Sequence, residues 1–381
     1  MSAALCHRIS QALSGRPLLI EPSALKAALD GIGPRLGLSM AAAKAEAETM
    51  AGMNRAAAHE RLAMIVEAET VEVAGGVAEY ARTADGIAVI PVVGTLVDRF
   101  DWLAAWCGLV SYDALTATIE AAAADPQVKA ILLDVDSPGG EASGMLDAAH
   151  TIRVISTVQK TIWASANSLA ASAAFGLASA ASRLVVAKMG AVGSVGVVAV
   201  HIDQSAADQA SGLKFTAIYS GARKIDGWGH APLSAEALEL FQKRLDASRR
   251  QFAEAIAAHR GMSTEAVLAT EAETYDDHEA VRIGFADAVQ GFRDTLGELR
   301  DKVRSGTAKP SYGARSTNPA RSARMNDTDE KQAQDQAADK HGWAAAIAKA
   351  NADAGVSVPT AGKPVPVSIG PRVRSADEVQ R

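Results

Sequence analysis

A serine and a lysine that lie 52 positions apart are the residues of this sequence best suited to covalent chemistry. Ser172 stands in a run of small residues, 167–176, and Lys224 stands in the segment 219–226. A serine hydroxyl becomes a strong nucleophile when a neighbouring base removes its proton. A lysine can be that base when burial keeps its amine neutral. The pair predicts a serine nucleophile activated by Lys224, whose amine the hydroxyl of Ser220 would help to orient.

A glycine-rich turn could bind the negatively charged oxygen that such an attack creates. Gly139 and Gly140 follow the apolar stretch 128–135, which is typical of a buried strand. Active sites of parallel sheets form at the carboxyl ends of the strands, and glycines allow the backbone to approach a substrate closely. Ala173 would offer a second N–H at the start of a helix. We therefore expect Gly139, Gly140 and Ala173 to form an oxyanion hole, in which one donor contributes about 10²–10³ in rate.

His201 is a competing candidate for the base. It follows the apolar stretch 197–200, and together with Asp203 it could complete a Ser-His-Asp triad. No His, Cys, Asp or Glu cluster in the sequence has the spacing of a metal site. The glycine-rich stretch 190–196 lacks the Lys-Ser/Thr ending of a phosphate-binding loop. We expect neither a metal nor another cofactor.

Composition favours a protein with a substantial core. The chain has 381 residues, of which 48% are hydrophobic, and a formal net charge of −6, which gives no reason to expect nucleic-acid binding. Its two cysteines, Cys6 and Cys107, predict free thiols in a reducing compartment. No apolar run reaches the roughly 18–20 residues that a membrane span requires. We expect a cytoplasmic protein without a membrane partner.

Hydrophobic periodicity predicts strands that alternate with helices from residue 86 onward, preceded by a hairpin at 68–82. Such alternation is typical of βαβ units with a largely parallel sheet. A connecting segment is expected at 275–284. The predicted strands are 87–93, 128–135, 161–164, 183–187 and 196–201, and the predicted helices are 112–124, 141–158, one beginning near 172, 233–260 and 294–303.

The same patterns divide the chain into four parts. Residues 1–85 are expected to form a mostly helical lead-in, with a helix at 41–50, and residues 86–303 the domain that carries the chemistry. Residues 304–324 are rich in Ser, Gly, Pro and Arg, which predicts a flexible basic linker. Residues 325–381 are first acidic and helix-prone and then Pro-rich, which is typical of a disordered or scaffold-like tail.

Three segments of the sequence, 136–140, 170–175 and 220–226, together resemble the S49 peptidase family, and 193–197 between them also looks like a family segment. The resemblance extends over about residues 86–300. It implies a fold similar to the ClpP/crotonase class, with Ser172 as nucleophile, Lys224 as general base and Gly139 and Gly140 in the oxyanion loop. Cellular members usually have Ser-Gly-Gly-Tyr where this chain has Ser-Ala-Ala-Phe at 172–175, which puts the shape of the substrate groove in doubt.

Residues 15–23 resemble the start of the phage minor capsid protein C branch, in which a scaffold segment follows the peptidase. That branch implies a serine endopeptidase that cleaves phage coat, portal or scaffold proteins, and itself, during head assembly. It also implies a homo-oligomer that works in the bacterial cytoplasm or inside the procapsid. The alternatives are a cytosolic signal-peptide-peptidase-like enzyme, a ClpP-like peptidase that uses His201, a crotonase-like acyl-CoA enzyme, and a non-catalytic capsid scaffold acting through residues 325–381.

Overall fold

The computed structural model of the chain describes residues 18–20, 68–73, 79–99 and 109–310. These residues belong to the first of two units, Met1–Thr317, and the second unit, Asn318–Arg381, lies outside them. The predicted helix at 41–50, most of the linker and the whole predicted tail therefore fall outside the described residues. The parts of the predicted helical lead-in that are described contain strands.

The described strands account for all the sheet pairing discussed below. They are β1 (Leu18–Ile20), β2 (Ala68–Glu72), β3 (Glu79–Thr83), β4 (Ile87–Val93), β5 (Leu96–Val97), β6 (Val110–Ser111), β7 (Ala130–Ser137), β8 (Gly139–Glu141), β9 (Thr161–Ala171), β10 (Arg183–Val186), β11 (Ala191–Gly193), β12 (Thr274–Asp276) and β13 (Ala288–Val289).

The described helices lie mostly between these strands, and a long one follows β11. They are α1 (Tyr112–Ala124), α2 (Met145–Val158), α3 (Ala173–Ser179), α4 (Ser205–Ala210), α5 (Ala235–Arg260), α6 (Thr264–Leu268), α7 (Asp277–Ile283) and α8 (Phe292–Arg304). Among the described residues, no helix combines the length and the apolar character needed to cross a membrane.

A nine-stranded sheet forms the centre of the fold. Its middle strands β4, β7 and β9 are parallel, and β10 and β11 both pair parallel with β9. The strands β2 and β3 form the predicted antiparallel hairpin at one edge. The helices α1 and α2 connect β4 to β7 and β7 to β9 across the sheet. The mixed α/β architecture predicted from the alternation of strands and helices is confirmed.

Burial on both faces explains why the central strands are continuous apolar runs rather than alternating ones. The exposed fraction is 0% for Ile87, Val89, Ile131 and Leu132. A strand covered by helices on both sides of a parallel sheet has no solvated face and needs no polar residues. Side chains from α1, α2, α3 and α5 fill the larger core, and α8 packs against the other face of the sheet in a smaller cluster around Trp163.

The strand predicted at 161–164 extends to Ala171, and three further predicted elements differ from the observed ones. The helix predicted at 141–158 begins only at Met145, because residues 139–141 form β8 and Gly144 adopts the left-handed conformation with φ of 83°. The strand predicted at 196–201 is not regular, and its Val198 instead makes an isolated bridge to Leu18. The connecting segment predicted at 275–284 contains β12 and α7.

A half-buried histidine links two helices of the core. The Nδ1 of His259 lies 2.9 Å from the hydroxyl of Ser179. Burial, assisted by the nearby positive charges of Arg153 and Arg260 and by His150, lowers the pKa of His259 from 6.5 to about 4. As the pH falls, the imidazole of the unfolded chain is therefore protonated near pH 6.5, whereas that of the folded chain stays neutral down to about pH 4.

The free energy of unfolding should consequently depend on pH through His259. The contribution of His259 to the free energy of unfolding is fully present above pH 6.5. It is lost as the pH decreases from 6.5 to about 4, and the loss is about 3 kcal/mol in all. Urea unfolding at a series of pH values measures this loss, and His259→Gln should make the curve flatter over the same range. The control is His278→Gln, because His278 is exposed and solvated in both states. Equal pH dependence in the unmodified protein and His259→Gln would contradict the assignment.

Candidate active site

Ser172 lies at the junction where β9 ends and α3 begins, in a strained backbone conformation. Its φ is 54° and its ψ is −118°, values that a residue with a side chain rarely adopts. The N–H of Ser172 donates to the carbonyl oxygen of Gly193 at 2.7 Å, and its carbonyl oxygen accepts from the N–H of Gly176 at 3.0 Å. These two bonds hold the serine backbone in place from both sides. A sharp strand-to-helix turn of this kind presents the hydroxyl of a nucleophilic serine.

The hydroxyl of Ser172 has no structural role that the described residues reveal. The residue is 1% exposed, and its Oγ has no hydrogen-bond partner among the described residues. Buried polar atoms are almost always hydrogen-bonded, so an unpaired one calls for an explanation such as catalysis or a missing partner.

Gly139 lies directly against the backbone on both sides of Ser172. Its φ is 96°, and a Cβ atom built on it would lie 3.0 Å from the carbonyl oxygen of Ala171 and 3.0 Å from the nitrogen of Ala173. The same Cβ would lie 2.2 Å from the carbonyl oxygen of Leu19, so no side chain fits here. Two stretches that are more than 30 residues apart in sequence thus meet at the serine.

The backbone donors at this point differ in their availability. Ala173 is the first residue of α3, and the first turn of a helix leaves its N–H groups without partners inside the helix. The N–H of Gly139 donates to the hydroxyl of Ser137 at 3.2 Å. Gly140 packs against β5, where a Cβ would lie 1.8 Å from the carbonyl oxygen of Leu96. The close packing of this turn depends on both residues being glycine.

Neither candidate base contacts the serine within a single chain. Lys224 and Ser220 are exposed and lie in turns, and the unpaired Oγ of Ser172 excludes a hydrogen bond from Lys224 among the described residues. His201 is half-buried, and its Nε2 has no described partner. The carboxylate of Asp203 accepts from the N–H of Ser205 at 2.9 Å. The dyad of Ser172 and Lys224 therefore stays a prediction, and the burial expected for Lys224 is not found in this chain alone.

The segment before Lys224 exposes several large apolar side chains. Ile218 is 97% exposed, and Leu213, Phe215 and Tyr219 are each about half exposed. Large apolar side chains grouped on a surface are typical of a site that binds another protein. The exposed position of Lys224 is thus next to a surface suited to association.

Sequence reasoning missed a strand that lies beside the glycine turn. Residues Leu18–Ile20 pair antiparallel with Gly139–Glu141. The only signal in the sequence was an apolar triplet enclosed by Pro17 and Pro22. It also missed that Asn167 donates a hydrogen bond to the buried carboxylate of Asp134 within β7.

Comparisons with known proteins give a family and several relatives. The model of peptidase family S49 matches residues 156–305. The head-tail preconnector protein GP5 of Enterobacteria phage P21 is 36% identical over 80% of this chain and 59% of its own length. The capsid assembly protease C of Escherichia phage lambda is 34% identical over 85% of this chain and 72% of its own length.

More distant similarities reach cellular proteins. A putative signal peptide peptidase SppA of Enterococcus faecium is 26% identical over 46% of this chain and 52% of its own length. Among solved structures, a mutant ClpP1 of Listeria monocytogenes is 15% identical and covers 55% of this chain and 94% of its own, with a TM-score of 0.35.

Proposed function

This chain belongs to peptidase family S49, and from that premise we propose that it is a serine endopeptidase with a dyad of Ser172 and Lys224. The observation that carries the proposal is the geometry of Ser172. A buried hydroxyl without a described partner stands on a strained turn, directly beside a glycine loop that excludes side chains. Each of these features costs stability or restricts the sequence, and each serves the attack of a hydroxyl on a peptide carbonyl.

The reaction proceeds in two stages. In the first, the neutral amine of Lys224 takes the proton from the Oγ of Ser172, which attacks the substrate carbonyl, and the lysine then gives that proton to the departing amine. The N–H of Ala173 and an N–H of the Gly139 and Gly140 turn stabilise the oxyanion. In the second, water gives a proton to the same lysine as its oxygen attacks the acyl carbonyl, and the lysine then returns that proton to the Oγ of Ser172 as the ester bond breaks and the carboxylic acid product leaves. Ser220 supports the orientation of the amine.

Association of subunits completes the site in this proposal. Lys224 is exposed and its segment carries the apolar side chains of Leu213, Phe215, Ile218 and Tyr219. Covering this surface with a second copy removes apolar area from water and desolvates the lysine, which favours its neutral form. We therefore assign the protein a homo-oligomeric active state in which the dyad forms.

The printed names of the phage relatives suggest the biological role. One is called a capsid assembly protease and another a head-tail preconnector protein. We assign this chain the role of a phage or prophage head maturation protease, acting on coat, portal or scaffold proteins and on itself. In that role it works in the bacterial cytoplasm or within the procapsid.

Co-expression with phage coat, portal and scaffold proteins should reveal the substrates. Mass spectrometry of the assembled particles should find defined cleavage products with the unmodified protein and none with Ser172→Ala. The matched control is Ser156→Ala, because Ser156 is another buried serine whose hydroxyl has no described partner. Identical products with Ser172→Ala would contradict the role. If the protein cleaves other peptides but leaves the coat, portal and scaffold proteins uncleaved, its substrate is a different protein.

A further inference from the structure

The strand β1 is held on both edges by the loops that flank Ser172. On one edge, Leu19 pairs with Gly140 and Ile20 pairs with Gly139 in antiparallel register. On the other edge, the N–H of Leu18 donates to the carbonyl oxygen of Val198 at 2.8 Å, and the N–H of Val198 donates back at 2.9 Å. The segment leading to Val198 begins at Gly193, whose carbonyl oxygen holds the backbone of Ser172.

A carbonyl of β1 lies close to the backbone donors of the serine. A Cβ on Gly139 would lie 2.2 Å from the carbonyl oxygen of Leu19 and 3.0 Å from the nitrogen of Ala173. The Leu19 oxygen and the Ala173 nitrogen are therefore no further apart than the sum of those two distances. The carbonyl of Leu19 thus lies beside the glycine turn and the start of α3, the two places to which we assign the oxyanion donors.

The side chains of β1 are buried as those of a bound peptide would be. Leu18, Leu19 and Ile20 are 3%, 3% and 8% exposed. Leu19 also lines a cavity of about 400 Å³ together with Met145, Leu146 and Phe252 of the helices α2 and α5. The site around β1 thus holds three consecutive large aliphatic side chains, and the cavity beside them is partly polar, because Glu141, Ser143, Ser248 and Gln251 also line it.

An extended peptide commonly binds a protein by adding a strand to an exposed sheet edge, with backbone bonds giving affinity and pockets giving specificity. We propose that Leu18–Ile20 occupies the peptide-substrate groove of this chain and competes with substrates from other molecules. The proposal rests on the assigned peptidase function and deepens it. In this proposal the peptidase activity of the chain is low while β1 occupies the groove. The groove then prefers extended substrates with consecutive leucine, isoleucine or valine residues.

Tethering makes the competition strong. A segment of the same chain presents itself at an effective concentration that reaches the millimolar range. An outside peptide binds only the fraction of molecules whose groove is open, so its apparent affinity falls in proportion to that fraction. Releasing β1 should therefore raise kcat/KM by about tenfold or more, mainly through a lower KM.

The test compares Leu19→Asp, and the milder Leu19→Ala, with the unmodified full-length protein on a fluorogenic peptide that contains Leu-Leu-Ile. Both variants should hydrolyse the peptide with a kcat/KM at least about tenfold higher. A synthetic peptide of residues 15–23 should inhibit them competitively. Leu299→Ala is the control, because it removes a buried leucine from the smaller core cluster on the opposite face of the sheet and should not raise activity. A folded variant with unchanged or lower kcat/KM would overturn the proposal.

A binding measurement separates this inference from the assigned function. In the inactive Ser172→Ala background, a fluorescent peptide of residues 15–23 should bind at least about tenfold more tightly when Leu19→Asp or Leu19→Ala is also present. This result would support occupation of the groove even if no peptide were hydrolysed by any variant. Equal binding with and without the Leu19 substitution would overturn the inference, even if Ser172-dependent hydrolysis were found.

Discussion

Replacing Ser172 with alanine should reduce kcat for peptide hydrolysis by about 10⁴-fold or more, because the attacking atom is lost. The Oγ of Ser172 has no described hydrogen-bond partner, so its removal leaves no other buried group unsatisfied. The free energy of unfolding should therefore stay the same or rise slightly. Steady-state kinetics on a fluorogenic peptide and urea unfolding of the same preparations measure the two effects.

The control for this result is another buried serine. Ser156 lies in α2 with an exposed fraction of 0% and an unpaired hydroxyl, so Ser156→Ala makes the same chemical change away from the site. It should retain full activity. Comparable residual activity in the Ser172 and Ser156 variants would exclude Ser172 as the nucleophile.

Replacing Lys224 with alanine should reduce kcat by about 10²–10⁴-fold, the range that a general base contributes. Lys224→Arg should be equally impaired, because a guanidinium stays protonated and cannot accept the serine proton. Lys224 is exposed in the single chain, so neither change should lower the stability of the subunit. Lys214→Ala, an exposed lysine in the same segment, is the matched control and should remain active.

The pH dependence of the rate and the His201 variant distinguish the two candidate bases. With a lysine base, activity should increase toward alkaline pH as the amine loses its proton, and His201→Ala should remain active. A ClpP-like mechanism instead requires His201, so activity would persist in Lys224→Ala and disappear in His201→Ala. That pattern, or a flat profile from mildly acid to alkaline pH, would contradict the Lys224 assignment.

Local signals predicted the elements whose ends are marked in the sequence. The strand Ile87–Val93 and the helix Tyr112–Ala124 have the predicted bounds, because Gly94 follows the first and Asp125-Pro126 follows the second. The long helix Ala235–Arg260 begins after Ser234, whose hydroxyl accepts from the N–H of Ala237, and ends at Gly261 in the left-handed conformation. Caps and helix-breaking residues act over a few positions, so a sequence pattern is enough to find them.

Tertiary pairing decided the elements that the pattern did not reveal. The strand β9 extends to Ala171, although alanine, serine and asparagine dominate its second half and favour strands weakly. Its first half pairs with β10 and its second half with β11, while β7 lies along the other edge, and these neighbours impose the extended conformation. The pairing of β1 with β8 joins residues more than 100 positions apart, which no local pattern can show.

The candidate active site likewise contains one feature that the sequence predicted and one that it did not. The sequence predicted that the glycine turn lies beside Ser172, and the contacts of Gly139 with Ala171 and Ala173 agree with that proximity. It did not predict that Lys224 is exposed in the single chain, because the turns around the lysine have no periodic apolar pattern that would reveal their burial. In the proposed function a second copy covers this surface, and the periodicity of one chain carries no information about such a contact.

Chemical labelling of Ser172 measures directly whether Lys224 activates this serine as a nucleophile. A small fluorophosphonate reacts covalently with a serine whose proton a neighbouring base removes, and peptide mapping by mass spectrometry identifies the modified residue. We expect labelling at Ser172 in the oligomeric protein, none at Ser156, and at least about tenfold slower labelling in Lys224→Ala. An unmodified Ser172 in a folded, oligomeric protein, or labelling that is unchanged in Lys224→Ala, would contradict this expectation.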